Sequence, residues 1–343
     1  MSHTRGSDAR TLPMPDLRGS FPGPFSTSPY ADAIEEHTAH WLRTFPLIGS
    51  PGEAKALCNI TAQGVARVLP AADRDGVFLC ADLFLWLTAF DDVHGEAEGG
   101  RDTARLVRRI SHCVRLLAGD DEPAAGDDAY IAALRDLLHR FRERATPTQY
   151  LRLTGNLRDN LFGILWEAHH LDRPDQVTLS DYCAMRPHTV FVRTVVATAE
   201  IVLGHELTDD QRSSAAVREL EKAVADLAGW INDLASYAKE ADRGGPTPLS
   251  LPTLLIRHRE CDLEEAFRLA SRMCEDQACT ARRRITELTA DSKDALADHA
   301  RAVEAVAASY VWHIGHTRYG REERAPRPEP GSAGDLADVG VSR

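Results

Sequence analysis

Apolar residues recur at helical spacing from residue 29 to residue 320, and this pattern limits the chain to one class of fold. Segments 102–117 and 128–144, for example, place an apolar residue on the same helix face every three or four positions. No run of strand length alternates β-branched and polar residues, and no Asn-Gly pair marks a hairpin. The pattern therefore predicts an all-α fold, a single-domain helical bundle around one core.

Prolines, glycines and changes in periodicity divide this region into ten or more predicted helices. Their expected bounds are 30–45, 51–69, 75–93, 102–117, 128–144, 146–170, 180–204, 209–241, 249–259, 263–288 and 292–319. Residues 1–28 and 321–343 are rich in proline or glycine and poor in large apolar residues. We expect both to be disordered tails on either side of a 29–320 domain.

Charge and cysteine content exclude several classes of function. The 343 residues carry 40 basic and 52 acidic side chains, a net charge of −12, which disfavours binding to nucleic acid or an anionic membrane. Seven cysteines form no CxxC pair, so neither a disulfide framework nor a zinc site is favoured. The longest apolar run, 76–90, is too short to span a bilayer, and the N-terminus lacks a secretory signal pattern. A cytoplasmic location is expected.

An acidic cluster follows the most apolar predicted helix. Asp91 and Asp92 come directly after a run of apolar residues, and Glu96 lies one turn beyond Asp92 if the helix continues past Gly95. Carboxylates this close repel one another unless a hard divalent cation lies between them, and Mg²⁺ takes such ligands together with substrate phosphates. The alternative is a helix that ends in a solvated acidic loop.

A second set of oxygen donors lies on a later helix. Asn232, Ser236 and Glu240 are spaced four residues apart, which places them within about 80° of one another on a helix. Amide, hydroxyl and carboxylate oxygens suit Mg²⁺, and one carboxylate leaves a low-charge site that an anionic ligand would complete. Asp233 lies 100° further round and is expected to pack or pair elsewhere. The alternative is a polar stripe on a surface helix.

Two separated arginines supply a cationic side. Arg186 lies in a largely apolar helix, and the next residue, Pro187, is expected to bend or break that helix. Arg318 and Tyr319 are adjacent donors at a predicted helix end. A guanidinium fork matches a diphosphate well, although a buried Arg–carboxylate pair and a helix cap remain open alternatives.

Large side chains near these clusters could stabilise a carbocation, because aromatic faces attract cations without supplying a nucleophile. Ordinary core packing is the alternative for each of them. The candidate lining residues are Phe84, Trp86, Phe90, Phe191 and Trp312, and Tyr310 is a further aromatic near Trp312 in the sequence.

With these motifs in order, the chain resembles the bacterial class I terpene synthases (terpene cyclases) from about residue 28 to residue 320. Asp91, Asp92 and Glu96 are similar to the aspartate-rich motif of that family, in a DDxxxE form. The NxxxSxxxE triad is matched by Asn232, Ser236 and Glu240. Arg186, 46 residues before Asn232, is similar to the diphosphate-sensing arginine.

The resemblance also covers the C-terminal region and the segment after Pro187. Arg318 and Tyr319 match the RY pair of the family, with Trp312 six residues before the arginine. Lys239 lies beside the triad as in the family, and Val190 occupies a position that often holds a small residue. Val190 therefore joins the expected cavity lining.

What the resemblance implies is an α-helical bundle with an apolar central cavity and three Mg²⁺ ions, for which Mn²⁺ is an expected substitute. The implied donors to the diphosphate are Arg186, Lys239, Arg318 and Tyr319. The implied reaction is ionisation of a linear isoprenoid diphosphate, cyclisation of the cation to a terpene hydrocarbon or alcohol, and release of diphosphate. The catalytic base is unknown, and a homodimer is compatible with the sequence.

Three questions stay open at this point. Farnesyl diphosphate is the first expectation for the substrate and geranylgeranyl diphosphate the alternative, while geranyl diphosphate is less expected. A prenyl diphosphate synthase is a competing hypothesis, although that class carries two DDxxD motifs where this chain has an Asn/Ser/Glu triad. A non-catalytic helical binding protein is the alternative from another class.

Overall fold

A computed structural model describes residues 12–99, 102–120, 128–171, 173–242, 248–290 and 294–313, except the side chains of 96–99, 239–242 and 313. All regular structure in these ranges is helical, as predicted. In chain order the α-helices are α1 (Ala31–Thr44), α2 (Pro51–Val68), α3 (Arg74–Phe90), α4 (Thr103–Leu117), α5 (Ala129–Arg144), α6 (Pro147–His170), α7 (Leu179–Thr189), α8 (Val192–Leu203), α9 (Asp209–Ser213), α10 (Ala215–Asp242), α11 (Leu251–Arg259), α12 (Leu263–Thr289) and α13 (Ala295–His313). None of the described helices is both long and apolar enough to cross a membrane.

Capping residues explain why the helices begin close to their predicted positions. The Thr146 hydroxyl accepts the Gln149 backbone N–H, the Gln149 side chain accepts the Thr146 N–H, and a proline fills the first position of α6. Asp73 caps α3 by accepting the Gly76 N–H at 2.7 Å. These bonds satisfy backbone donors that have no partner within the helix.

Helix α3 runs through the middle of the bundle. Almost every residue from Gly76 to Phe90 is buried, and α3 packs against α1, α2, α5 and α8. A helix that is apolar on all sides has to be surrounded by protein. Its one acidic residue within this run, Asp82, is fully buried and lies 2.9 Å from His37 Nε2 and 2.8 Å from Arg140 Nη1. This packing fixes the orientation of α3. It therefore also fixes the position of the acidic cluster that follows the C-terminal end of α3.

The predicted helix 180–204 is broken into α7 and α8. Pro187 is accommodated inside α7, and the break comes three residues later, at Val190 and Phe191. Phe191 has φ 63° and ψ 0°, a left-handed conformation that costs a non-glycine residue about 1–3 kcal/mol. Surrounding contacts must therefore hold this break in place.

The N-terminal segment differs from the prediction over its described part. Residues 1–11 lie outside the described residues, but residues 12–28 pack against the bundle. Leu12, Leu17 and Phe21 are buried in the same apolar cluster as α10 and α12, and the Ser28 N–H donates to the Ala66 carbonyl. Three large apolar residues spaced about five apart are enough to anchor a proline-rich segment, although they form no helical pattern. The predicted C-terminal tail, 321–343, lies outside the described residues.

Candidate active site

The acidic cluster lies on a widened helical turn. Beyond Phe90 the chain continues as a π-helix, Asp91–Gly99, in place of the solvated loop considered as an alternative. Asp91 and Asp92 are half-buried at its first turn. π-Helices are rare, because their wide turn is energetically poor, and they occur often at functional sites. Both carboxylates therefore lie immediately after the C-terminal end of α3.

Because Gly95 has no side chain, it leaves room for the Asp91 carboxylate. A Cβ at Gly95 would lie 2.7 Å from Asp91 Oδ1 and 3.0 Å from Ile164 Cγ2 of α6. Any side chain there would displace the carboxylate. The backbone of Glu96 continues the π-helix, but its side chain is not among those described, so its role as a ligand stays a prediction.

The second set of oxygen donors lies on α10, which packs against α7, α11, α12 and α13. Asn232 is half-buried, and Ser236, one turn later, is 6% exposed. The Ser236 hydroxyl has no hydrogen-bond partner among the described residues. A buried polar group left unpaired costs about 1–3 kcal/mol, so a ligand or ion that bonded this hydroxyl would offset that cost.

Arg186 connects α7 to these oxygen donors. Its Nε lies 2.9 Å from Asp233 Oδ1, and its Nη2 lies 2.8 Å from Asn232 Oδ1. The third nitrogen, Nη1, donates to the Thr189 hydroxyl at 2.6 Å. The side chain crosses α10 at Gly229, where a Cβ would lie 2.7 Å from Arg186 Cγ. The predicted diphosphate donor therefore contacts a predicted metal ligand directly.

Asp233 belongs to the site, which the sequence pattern did not indicate. Asp233 was expected to pack or pair elsewhere, but its partner is Arg186, which also bonds Asn232 of the triad. The other Asp233 oxygen accepts the Tyr182 hydroxyl at 2.6 Å and the Leu251 N–H at 3.0 Å. Burial raises the pKa of the Asp233 carboxyl, and the Arg186 guanidinium and the Tyr182 hydroxyl oppose that rise. The sequence did contain a signal for this arrangement: Tyr182 lies one turn before Arg186 on α7, and both contact Asp233.

Helix α6 places the acidic cluster and Arg186 at the same end of the bundle. Ile164 lies against Gly95 of the π-helix, and Asn160, one turn earlier, donates to the His188 carbonyl at 2.6 Å. Four residues of α-helix rise about 6 Å, so both contacts lie at nearly one level along α6. Two residues before His188 is Arg186, which bonds Asn232.

The predicted lining residues lie in two parts of the core. Trp86 and Phe90 are fully buried with ring centroids 5.0 Å apart, and the Trp86 indole N–H donates to the Tyr130 carbonyl. Phe191 belongs to the same apolar cluster, and Trp312 packs against it. Phe84 and Val190 belong to the other cluster. Contact with a carbocation stays a prediction for all six.

Four further predicted residues cannot be placed by their side chains. Lys239 and Glu240 continue α10, but only their backbone is described. Arg318 and Tyr319 lie outside the described residues, beyond the end of α13 at His313.

A buried charge cluster elsewhere has the spacing of a metal site. The ligand atoms of Glu200, His205 and His299 lie within 4.8 Å of one another. However, Arg152 Nη1 is 2.8 Å from Glu200 Oε1 and Arg212 Nη2 is 3.1 Å from Oε2. Since two guanidiniums already compensate this carboxylate, a dication would add buried charge without a counter-ion. We interpret the cluster as structural.

Glu221 completes this cluster. It lies 2.6 Å from Arg152 Nη2 and 3.2 Å from His299 Nε2. Burial would raise the pKa of Glu221, but the His299 hydrogen bond and the Arg152 charge outweigh it and lower the pKa to about 2. The hydrogen bonds of Glu200 and Glu221 raise the pKa of His299 against the effect of its burial. The charges compensate one another within the core.

A helical bundle with oxygen donors and a buried arginine at one end has the architecture of a terpenoid synthase. The model of the family "Terpene synthase family 2, C-terminal metal binding" matches residues 82–278. A crystal structure of the SVS_A2 protein from ancestral sequence reconstruction matches with a TM-score of 0.78, covering 93% of this chain and 96% of that chain. At 24% identity that likeness shows the fold alone.

Sequence relatives give the family. The chain is 68% identical over 308 residues to the (12E)-labda-8(17),12,14-triene synthase of Streptomyces anulatus, covering 90% of this chain and 95% of that protein. A synthase of the same name from Streptomyces cyslabdanicus is 52% identical, covering 95% and 99%. The 4-epi-cubebol synthase of Streptosporangium roseum, which cyclises farnesyl diphosphate, is 28% identical, covering 75% and 77%.

The chain therefore belongs to the terpene synthase family and is a bacterial class I terpene synthase. It is a lyase of isoprenoid diphosphates that binds divalent metal. The predicted family, fold and enzyme class are confirmed.

Proposed function

We propose that this synthase ionises an allylic C20 diphosphate that already carries the two labdane rings, and releases a labdatriene. The observation that carries the proposal is the 68% identity to a labdatriene synthase over 95% of that protein. The second relative of that name, at 52% identity, supports the same product class. This proposal replaces linear farnesyl diphosphate as our preferred substrate.

The chemistry is a loss of diphosphate and one proton. A bicyclic C20H33 diphosphate with an 8(17) double bond and an allylic C13–C15 unit breaks its C15–O bond. The allylic cation then loses a proton from C12, which gives the 12,14-diene. The products are C20H32 and diphosphate carrying the proton, and the 8(17) double bond is untouched. No ring closes in this reaction, so the rings must come from an earlier cyclisation that begins by protonating an alkene.

The residues present fit Mg²⁺, and we propose that three ions bind, with Mn²⁺ as a substitute. Asp91 and Asp92 would hold metal on one side, and Asn232, Ser236 and Glu240 on the other. All of these donors are oxygens, which hard divalent cations prefer, and the buried Ser236 hydroxyl lacks any other partner among the described residues. When bound, Mg²⁺ neutralises the charge that develops on the leaving diphosphate.

The protein's own donors orient the leaving group. Arg186 Nη2 lies 2.8 Å from both the Asn232 amide oxygen and Asp233 Oδ1, so a diphosphate oxygen can replace Asn232 at this donor while Asp233 and Thr189 keep the guanidinium in place. A fixed fork of this kind stabilises developing charge without reorganising during the reaction. Lys239, Arg318 and Tyr319 are proposed as further donors. A cytoplasmic location and a homodimer are also part of the proposal.

Farnesyl diphosphate is the second candidate substrate, because the 4-epi-cubebol synthase at 28% identity cyclises it. The lower identity makes it the weaker candidate. The prenyl diphosphate synthase and the non-catalytic binding protein are no longer candidates, since the chain is a terpene synthase.

Separate incubations with a bicyclic labdane diphosphate, geranylgeranyl diphosphate and farnesyl diphosphate test the proposal. Diphosphate release is measured with Mg²⁺ and after EDTA, and extracts are analysed by gas chromatography–mass spectrometry. We expect the highest kcat/KM and a C20H32 triene with the bicyclic substrate. Higher kcat/KM with farnesyl diphosphate would overturn the proposal and support the second candidate.

A further inference from the structure

The break between α7 and α8 is held by side chains from two other helices. Because α7 ends at the break, its last carbonyls lack helical partners, whereas the carbonyls in the first turn of α8 point into that helix. Asn160 Nδ2 of α6 donates to the His188 carbonyl at 2.6 Å, and Asn156 Nδ2 donates to the Arg193 carbonyl at 3.1 Å. These bonds anchor the two flanks of the break to α6.

The carbonyl within the break has a different donor. The Tyr310 hydroxyl of α13 donates to the Val190 carbonyl at 3.0 Å. Both Val190 and Phe191 are buried, at 6% and 7% exposure, so this carbonyl has little access to water. Without the Tyr310 hydroxyl, the Val190 carbonyl would lose the side-chain donor that takes the place of its helical partner.

Tyr310 also links two regions that the proposed function uses. Val190 lies four residues after Arg186, and the Val190 N–H donates to the Arg186 carbonyl at 3.2 Å. Helix α13 is the helix after which Arg318 and Tyr319 follow in the sequence. A hydrogen bond from α13 to the break thus sets how the end of α7 is oriented relative to α13.

We propose that Tyr310 is a positioning residue that selects the product of this synthase, acting through the Val190 carbonyl. The inference rests on the proposed function, since it concerns which conformer of the allylic cation loses its proton. A break held in one geometry presents one arrangement of Val190 and Phe191 to the substrate, while Arg186 is held separately by Asp233, Thr189 and Asn232. Without the Tyr310 hydrogen bond, the break between α7 and α8 would sample several arrangements. The substrate would then be productively aligned less often, and the fraction of side products would increase. Diphosphate contacts are unchanged, so affinity should change little.

Tyr310→Phe tests this, because it removes only the hydroxyl. Ser309→Ala is the matched control: Ser309 Oγ, on the same helix, donates to a backbone carbonyl of α2, that of Gly64, at 3.1 Å. In Tyr310→Phe we expect kcat to fall about five- to tenfold, the effect of one lost hydrogen bond, with KM changed less than about twofold. The fraction of side products should rise. Ser309→Ala should keep the wild-type kcat and product ratio.

Hydrogen exchange of residues 187–195 gives a readout that needs no turnover. Faster exchange there in Tyr310→Phe, and unchanged exchange in Ser309→Ala, is the expected result. A Tyr310→Phe enzyme with the wild-type product ratio would overturn the proposal, and so would equal loss of fidelity in both variants.

Failure of the proposed function is distinguishable from failure of this inference. If the wild-type enzyme prefers another allylic diphosphate, the product ratio is measured with that substrate. If it turns over none, unchanged protection of 187–195 in Tyr310→Phe overturns the role of Tyr310, and faster exchange supports it.

Discussion

Removing the Asp233 carboxylate should destabilise the protein strongly, because three buried donors depend on it. Asp233 is 3% exposed and accepts hydrogen bonds from Tyr182, Arg186 and the Leu251 backbone. Asp233→Ala leaves the Arg186 guanidinium buried without its counter-ion, which costs about 3–5 kcal/mol. Tyr182→Phe removes one of the three bonds and should cost about 1–2 kcal/mol.

A double variant separates uncompensated charge from lost packing. In Arg186→Met with Asp233→Leu, both charges are gone and the volume is approximately kept. Apolar replacement of a whole buried pair costs far less than removal of one partner, so this double variant should be more stable than Asp233→Ala alone. The double variant should lack turnover, because it removes Arg186, a proposed diphosphate donor. Asp233→Ala should also lack turnover, because it removes the carboxylate that holds Arg186 in place.

Urea unfolding followed by far-UV circular dichroism measures these free energies, with the slope checked for each variant. Since whole domains are stable by about 5–15 kcal/mol, the Asp233→Ala loss is large enough to resolve. An Asp233→Ala loss below about 1 kcal/mol, or a double variant less stable than the single one, would refute the reasoning.

Three further predictions concern single side chains. Ser236→Ala should leave the free energy of unfolding unchanged or raise it by up to about 1 kcal/mol, since the buried hydroxyl is unpaired among the described residues, yet abolish Mg²⁺-dependent turnover. Ser271→Ala removes another such hydroxyl and should keep turnover; equal activity of the two variants would contradict the metal role. Gly229→Ala gains about 1 kcal/mol of helix propensity but should lose turnover, because its Cβ would lie 2.7 Å from the arginine that crosses α10. Gly155→Ala, where a Cβ meets open space, should gain the same propensity and stay active; an active Gly229→Ala would count against the close approach. Glu221 has a pKa of about 2 in the folded state against 4.5 ordinarily, so its carboxylate stabilises the fold by about 3 kcal/mol above pH 4.5 and loses that effect as the pH falls towards 2. The stability difference between wild type and Glu221→Gln should therefore shrink on acidification, and a constant difference in urea titrations from about pH 6 to pH 2 would contradict it.

Local signals predicted the helices well because they act within a few residues. The caps at Asp73 and Thr146 and the prolines at helix starts bring most predicted bounds within a few positions of the structure. The break after Arg186 was foreseen from Pro187, but its place at Phe191 was not, because Pro187 fits inside α7. The left-handed turn depends on bonds from α6 and α13, which no local pattern encodes.

The sequence indicated the proposed ligands better than the residues that support them. Oxygen donors at helical spacing indicated Asn232 and Ser236, and the acidic pair indicated Asp91. Their binding of metal stays a prediction. Asp233 was set aside because its angle on the helix points away from the triad, yet a partner on α7 makes it part of the site. The π-helix at Asp91–Gly99 likewise depends on packing against α6. Helical periodicity does not predict long-range partners of this kind.

The central claim is that the acidic cluster and α10 hold one diphosphate through shared metal ions. Anomalous diffraction from crystals grown with Mn²⁺ and inorganic diphosphate tests it most directly. We predict manganese peaks beside Asp91 and beside Asn232 and Ser236, with oxygens of a single diphosphate contacting both sets. Manganese confined to Glu200 and His205, or peaks at Asp91 and Asn232 that share no diphosphate, would contradict the account.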